Sequence, residues 1–150
     1  MPKNRLTVIA ALVILAVALL FIAVLLTSSQ GERKSRMLVE DFGAQLQQVP
    51  LLGADATSTM QEKYERYVTP ELLEEWLNNV QLAPGRLTSS PYPARIEIED
   101  VVPQGAGYLI TGVIVLETSE GEAGRQKVLI QVVPVDEQYR IAVFQQETQR

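Results

Sequence analysis

The chain has 150 residues with no cysteine and no histidine, and its 18 acidic side chains outnumber 13 basic ones for a formal charge of −5. Without imidazole or thiol, Ser-His-Asp and Cys-His nucleophiles, transition-metal sites with those ligands and acylation of a lipoprotein cysteine are all excluded. The acidic balance argues against strong nucleic-acid binding, which needs a basic surplus to neutralise phosphates.

Residues 6–26, LTVIAALVILAVALLFIAVLL, are apolar except for Thr7, and no acidic side chain occurs in the first 30 residues. At about 1.5 Å per residue such a helix covers roughly 30 Å, the hydrocarbon thickness of a bilayer. A transmembrane helix is therefore expected over 6–26, after a short tail at 1–5 and before a juxtamembrane linker or stem at 27–36. The run is longer than the apolar segment of a cleaved signal peptide. Lys3 and Arg5 flank it on one side and Arg33, Lys34 and Arg36 on the other. These five residues are the expected interfacial anchors, and the last three suit contact with anionic headgroups. The flanking charges nearly cancel, but long domains are exported with little regard to charge. The expectation is a cytoplasmic N terminus and an extracytoplasmic domain at 37–150, with the bilayer as the first partner.

The domain opens with helical patterns. Leu38, Phe42 and Leu46 recur at helical spacing before Val49 and Pro50, in a segment that only Gly31 separates from the apolar run. Ser58 or Thr59 can cap a second helix that aligns Met60, Tyr64, Tyr67 and Val68. A third starts at Thr69-Pro70-Glu71, where the hydroxyl caps free amides and proline is tolerated, and its stripe is Leu72, Leu73, Trp76, Leu77 and Val80. Trp76 reads as core, or alternatively as the wall of a cavity.

Residues 82–93, LAPGRLTSSPYP, read as a loop joining a helical half to a strand half. Within it Tyr92, held between two prolines, suits a lid or a recognition surface. Strands are expected at 95–102, 108–118, 125–133 and 139–145, with short antiparallel connections at 119–124 and 134–138. In the second strand Leu109, Val113 and Val115 face opposite to Ile110, Ile114 and Leu116, so both sheet faces are partly apolar and one lacks a cover. The expected fold class is α+β: the transmembrane helix, then about three helices packed on a curved antiparallel sheet of about four strands. The domain, with 11 basic and 18 acidic groups after residue 30, carries a formal charge of −7.

No pattern specifies catalysis. Glu97 and Glu99 read as a solvated strand face beside Arg95, Glu117, Glu120 and Glu122 surround a turn, and Gly105 and Gly107 mark a hairpin rather than a phosphate cradle. No catalytic residue, metal ligand or cofactor is expected.

The segment YERYVTPELLEEW, with Tyr64, Tyr67, Thr69, Pro70, Glu71, Leu72 and Leu73 ahead of a run of strands, resembles the nuclear transport factor 2-like, or cystatin-like, domains over roughly residues 37–146. The tail, single span and such a domain together look like the bitopic assembly factors of type IV secretion and conjugation machines. That resemblance implies a non-catalytic scaffold whose partner is a membrane or envelope protein, with self-association left open. The contact surface expected on this basis comprises Arg86, Tyr92, Val113, Val115, Leu129 and Tyr139. The same superfamily includes isomerase-like enzymes that hold a small molecule in the cone between sheet and helices. On that alternative Asp100 or Asp136 would be the base, with a tyrosine as donor.

Overall fold

A computed structural model describes residues 13–17 and 29–147. The chain divides into two compact units, Met1–Arg33 and Lys34–Arg150. In the first, residues 13–17 are helical with exposed side chains. Apart from these five, the expected span at 6–26 lies outside the described residues, as do Lys3 and Arg5. Among the described residues no helix is long and apolar enough to cross a membrane.

Residues 29–43 are helical and are termed α1. In the second unit α2 spans Ala56–Tyr64 and α3 Pro70–Asn78, with single 3-10 turns at Leu46–Gln48 and Val80–Leu82. Four strands follow, β1 Tyr92–Gln104, β2 Gly107–Thr118, β3 Gly121–Val135 and β4 Gln138–Gln146, joined in the order β1-β2-β3-β4. All neighbours are antiparallel. The second unit is thus α+β, as its sequence pattern implies.

Helix α3 begins as expected: the Thr69 side chain accepts from Leu72 N at 3.4 Å, Pro70 occupies the first turn, and Leu72, Leu73 and Trp76 are buried. Helix α2 begins earlier than its sequence suggests. Ser58 Oγ donates to the carbonyl of Asp55 at 2.9 Å, so the hydroxyl answers a turn carbonyl and caps no amide. Val80 falls outside α3 because Asn79 leaves the helical region and its side chain accepts from Gln81 N, starting the 3-10 turn.

The strands are longer and their connections shorter than the periodicity indicates. Only Ser119 and Glu120 separate β2 from β3, and only Asp136 and Glu137, at φ 45° and 66°, separate β3 from β4. Two consecutive residues in the left-handed region are the geometry of a tight hairpin turn whose twist matches the strands. Tyr92 and Pro93 belong to β1, opposite Glu117 and Leu116, and not to the preceding loop.

Alternation fails at four register shifts, near Ala94, Glu99, Ala123 and Ala142, and two of them shape the core. In β1, Glu99 is the extra residue between Ile98↔Gly112 and Asp100↔Thr111; in β4, Ala142 is the extra residue between Ile141↔Val132 and Val143↔Gln131. The consequence is that Ile96, Ile98 and Val101, and likewise Tyr139, Ile141 and Phe144, share the helix-facing side despite a three-residue step. A bulge also bends its strand and sharpens the local twist.

Phe42 of α1 is the centre of the core. Its ring lies 4.9 Å from Tyr64, 5.9 Å from Tyr67, 6.2 Å from Trp76 and 5.7 Å from Phe144 between centroids, so one side chain joins all three helices to β4. Tyr64 is fully buried, and its hydroxyl donates to Pro84 O at 2.7 Å, fixing the long loop to α2. Burial holds that phenol far above its ordinary pKa, so it stays a neutral donor. Close packing of α1 on β1 needs Gly43, where a methyl group would stand 2.7 Å from the backbone nitrogen of Ile96.

Two stability measurements test this core. Tyr64→Phe leaves the buried Pro84 carbonyl unanswered and is expected to cost about 1–3 kcal/mol in urea unfolding. Gly43→Ala forces α1 off β1 and is expected to cost about 1–3 kcal/mol with unchanged m-value.

Candidate functional site

The space between helices and sheet, where a cone-type pocket would lie, is occupied by the rings of Phe42, Tyr64, Trp76 and Phe144. Asp100 sits on β1, exposed, with Oδ1 accepting from Val101 N at 2.9 Å, and Asp136 sits in the β3–β4 turn. Neither carboxylate faces that interior, and the one buried phenol with a raised pKa already donates to Pro84. Among the described residues no group of three or more acidic side chains is placed to hold a metal ion.

The outer sheet face, turned away from the helices, carries ordered charge. Register puts Arg95, Val115 and Arg125 in one cross-strand row and Glu97, Val113 and Lys127 in the next. Arg95 donates to Glu97 from Nε at 3.0 Å and from Nη2 at 2.8 Å, and also pairs with Glu117. Arg125 pairs with Glu97 at 3.0 Å and with Glu122 at 2.7 Å. Glu97 therefore bridges both guanidinium groups. Hydrogen bonding to Glu97, then to Glu117, raises the Arg95 pKa; bonding to Glu122 raises that of Arg125 and in return lowers that of Glu122.

This network explains where the expected contact residues lie. Val115 is 0% and Val113 5% exposed, each walled by the long side chains of its row, so neither offers free apolar surface. Leu129 is half-buried and lines an outer-face groove of about 530 Å³ with Glu99, Thr111, Lys127 and Gln145. Tyr139 packs on the opposite, helix-facing side, its ring 5.9 Å from that of Tyr108. The six residues thus form no single patch. Arg86 acts through its main chain, donating to Val49 O at 2.8 Å and accepting from Leu51 N at 2.9 Å. Tyr92 is a half-buried strand residue, held in place by pairing. Arg33 and Lys34 are exposed on α1, and Arg36 is half-buried.

The periodicity did not reveal two grooves at the β4 side. One, of about 630 Å³, is bounded by residues 142–146 of β4 and by Leu72, Glu75, Trp76, Gln81 and Leu82. The other, of about 480 Å³, lies between the 81–91 segment and residues Leu51, Pro93, Ile114, Leu116, Gln126 and Gln146. They share Gln81 and Gln146. The available signal was Leu82, an apolar residue past the end of α3 that is 48% exposed.

Comparison of the chain with protein-family profiles, with curated proteins and with solved structures returns no match in any of the three.

The ion network can be tested by titration. The folded-state pKa of Glu122 lies below its ordinary value of 4.5, so its contribution to stability is present above that value and is lost as pH falls through the lowered one. The drop in Tm between about pH 5 and about pH 3 should therefore shrink in Glu122→Gln. At about 1 M salt, the difference between the variant and the native chain should also narrow, since exposed pairs are screened.

Proposed function

We propose that the protein is a membrane-anchored, non-catalytic binding or assembly module with an extracytoplasmic α+β domain of nuclear transport factor 2-like type. The observation that carries the reading is the 21-residue apolar run at 6–26, which has basic flanks on both sides and is followed by 124 residues, enough to form a core of their own. Anchoring confines encounters to a plane and raises effective concentration, which favours an assembly role in which individual contacts are weak.

Two features of the domain support binding over catalysis. Its interior packs four aromatic rings together, and its grooves lie on the surface, lined by amides, apolar groups and a few charged side chains. Type IV secretion and conjugation machines are the kind of envelope complex whose bitopic scaffold proteins share this order of tail, span and domain.

Because the chain has no cysteine, one introduced thiol reports sidedness without background. Ser119, exposed in the β2–β3 turn, is the position. With Ser119→Cys in intact cells, a membrane-impermeant maleimide bearing a photo-crosslinker is expected to label before lysis and to yield a discrete adduct with a membrane protein. Labelling only after lysis would place the domain inside and defeat the reading.

A further inference from the structure

The two edges of the sheet are treated differently. Edge strand β1 carries extra residues at Ala94 and Glu99, prolines at 93 and 103 and the charges of Glu97, Glu99 and Asp100, all devices that discourage pairing with another chain. Beyond its bulge at Ala142, β4 carries none of them: residues 143–146 are Val, Phe, Gln and Gln.

The direction of the β4 main-chain groups follows from one hydrogen bond. Glu147 N donates to Lys127 O at 2.9 Å, in register with Val128↔Gln146 and Leu129↔Gln145. Bonded and non-bonded pairs alternate along an antiparallel ladder. The bonded pairs are then Leu129/Gln145 and Gln131/Val143, and the N–H and C=O groups of Phe144 and Gln146 point away from β3. Upstream, the equivalent outward groups of Ile141 are already satisfied: its N–H donates to Tyr67 O at 2.8 Å and its C=O accepts from Thr69 N at 2.9 Å, a parallel bridge centred on Val68. The chain then meets Pro70, which has no N–H to offer, and turns into α3. Among the described residues no other segment pairs with this side of β4.

We propose that the groove between α3 and β4 receives an extended peptide of a partner protein, added as a strand beside Phe144 and Gln146. Strand addition supplies the main-chain partners, and pockets for alternate side chains supply selectivity. The five β4 residues that line the groove run about 13 Å at roughly 3.3 Å per residue, room for a short strand. Leu82, 48% exposed, offers apolar surface backed by the buried Leu72 and Trp76, and among the described residues Glu75 is the only charged one that lines the groove. The matching peptide is apolar at every second position and cationic between. The proposal rests on the binding-module reading and names the class of partner.

The test uses the full chain in neutral detergent micelles and a fluorescein-labelled eight-residue peptide of alternating valine and lysine. Binding is read by anisotropy and by hydrogen-exchange protection of the Phe144 and Gln146 amides. Two further peptides are methylated at nitrogen, one on every valine and one on every lysine. Amides of alternate residues face opposite edges of a strand, so one methylated peptide should bind like the parent and the other at least tenfold more weakly. Equal loss or equal retention overturns strand addition. Gln146→Pro removes an outward donor and leaves the β3 ladder intact, and should weaken binding at least tenfold with the thermal transition preserved. Glu75→Gln should weaken it several-fold and flatten its salt dependence. If protection of Phe144 and Gln146 rises with protein concentration in the absence of peptide, a second copy fills the groove and the proposal fails. If Ser119→Cys captures a partner in cells but the peptide does not bind, the binding-module reading stands and the groove assignment falls.

Discussion

The two hydrogen bonds between Ile141 and the main chain at Tyr67 and Thr69 hold the helical half of the domain to the sheet half. A parallel bridge of this kind fixes both direction and register. From that point the start of α3 is determined, because Thr69 must be extended to pair and its side chain then accepts from Leu72 N. The stripe Leu72, Leu73 and Trp76 follows, and Trp76 reaches Phe42, Tyr64 and Phe144. The groove beside β4 is therefore set by the same bridge that closes the core.

Much of this was legible in the sequence. The order of helices then strands, the Thr69-Pro70 start and the opposed faces of β2 all follow from local chemistry. What was not legible depends on contacts distant in sequence. A bulge cannot be seen in one strand alone, because Glu99 and Ala142 become extra residues only when Thr111 and Gln131 are placed opposite them. The contact surface expected from Val113, Val115, Leu129 and Tyr139 mixed two sheet faces for that reason, since the step from Tyr139 to Val143 passes through the Ala142 bulge. Val113 and Val115 read as free apolar surface until Arg95 and Arg125, thirty residues apart, are brought to either side of Val115.

The ion network on the outer face illustrates how charge and burial combine. Exposed pairs add little stability individually. Here Glu97 joins two arginines that belong to β1 and β3, so the charges cross-link three strands and their aliphatic stems screen two valines from water. The sheet thereby acquires an ordered polar cover on one half of a face that its helices never reach, and the groove near Leu129 and Thr111 marks where that cover stops.

The place of Phe42 has a consequence for how the domain could be released from its leading segment. Val39, Phe42 and Leu46 are each 0% exposed, so the domain does not begin after α1 but inside it. A protease that frees the domain with its core intact must cut before Val39, and any cut at residues 29–38 falls in helical backbone. Helical backbone must unwind locally before cleavage, which makes a cut there slow. A cut after Gly43 would be no shedding at all, since the fragment set free would have lost the ring on which its own packing converges.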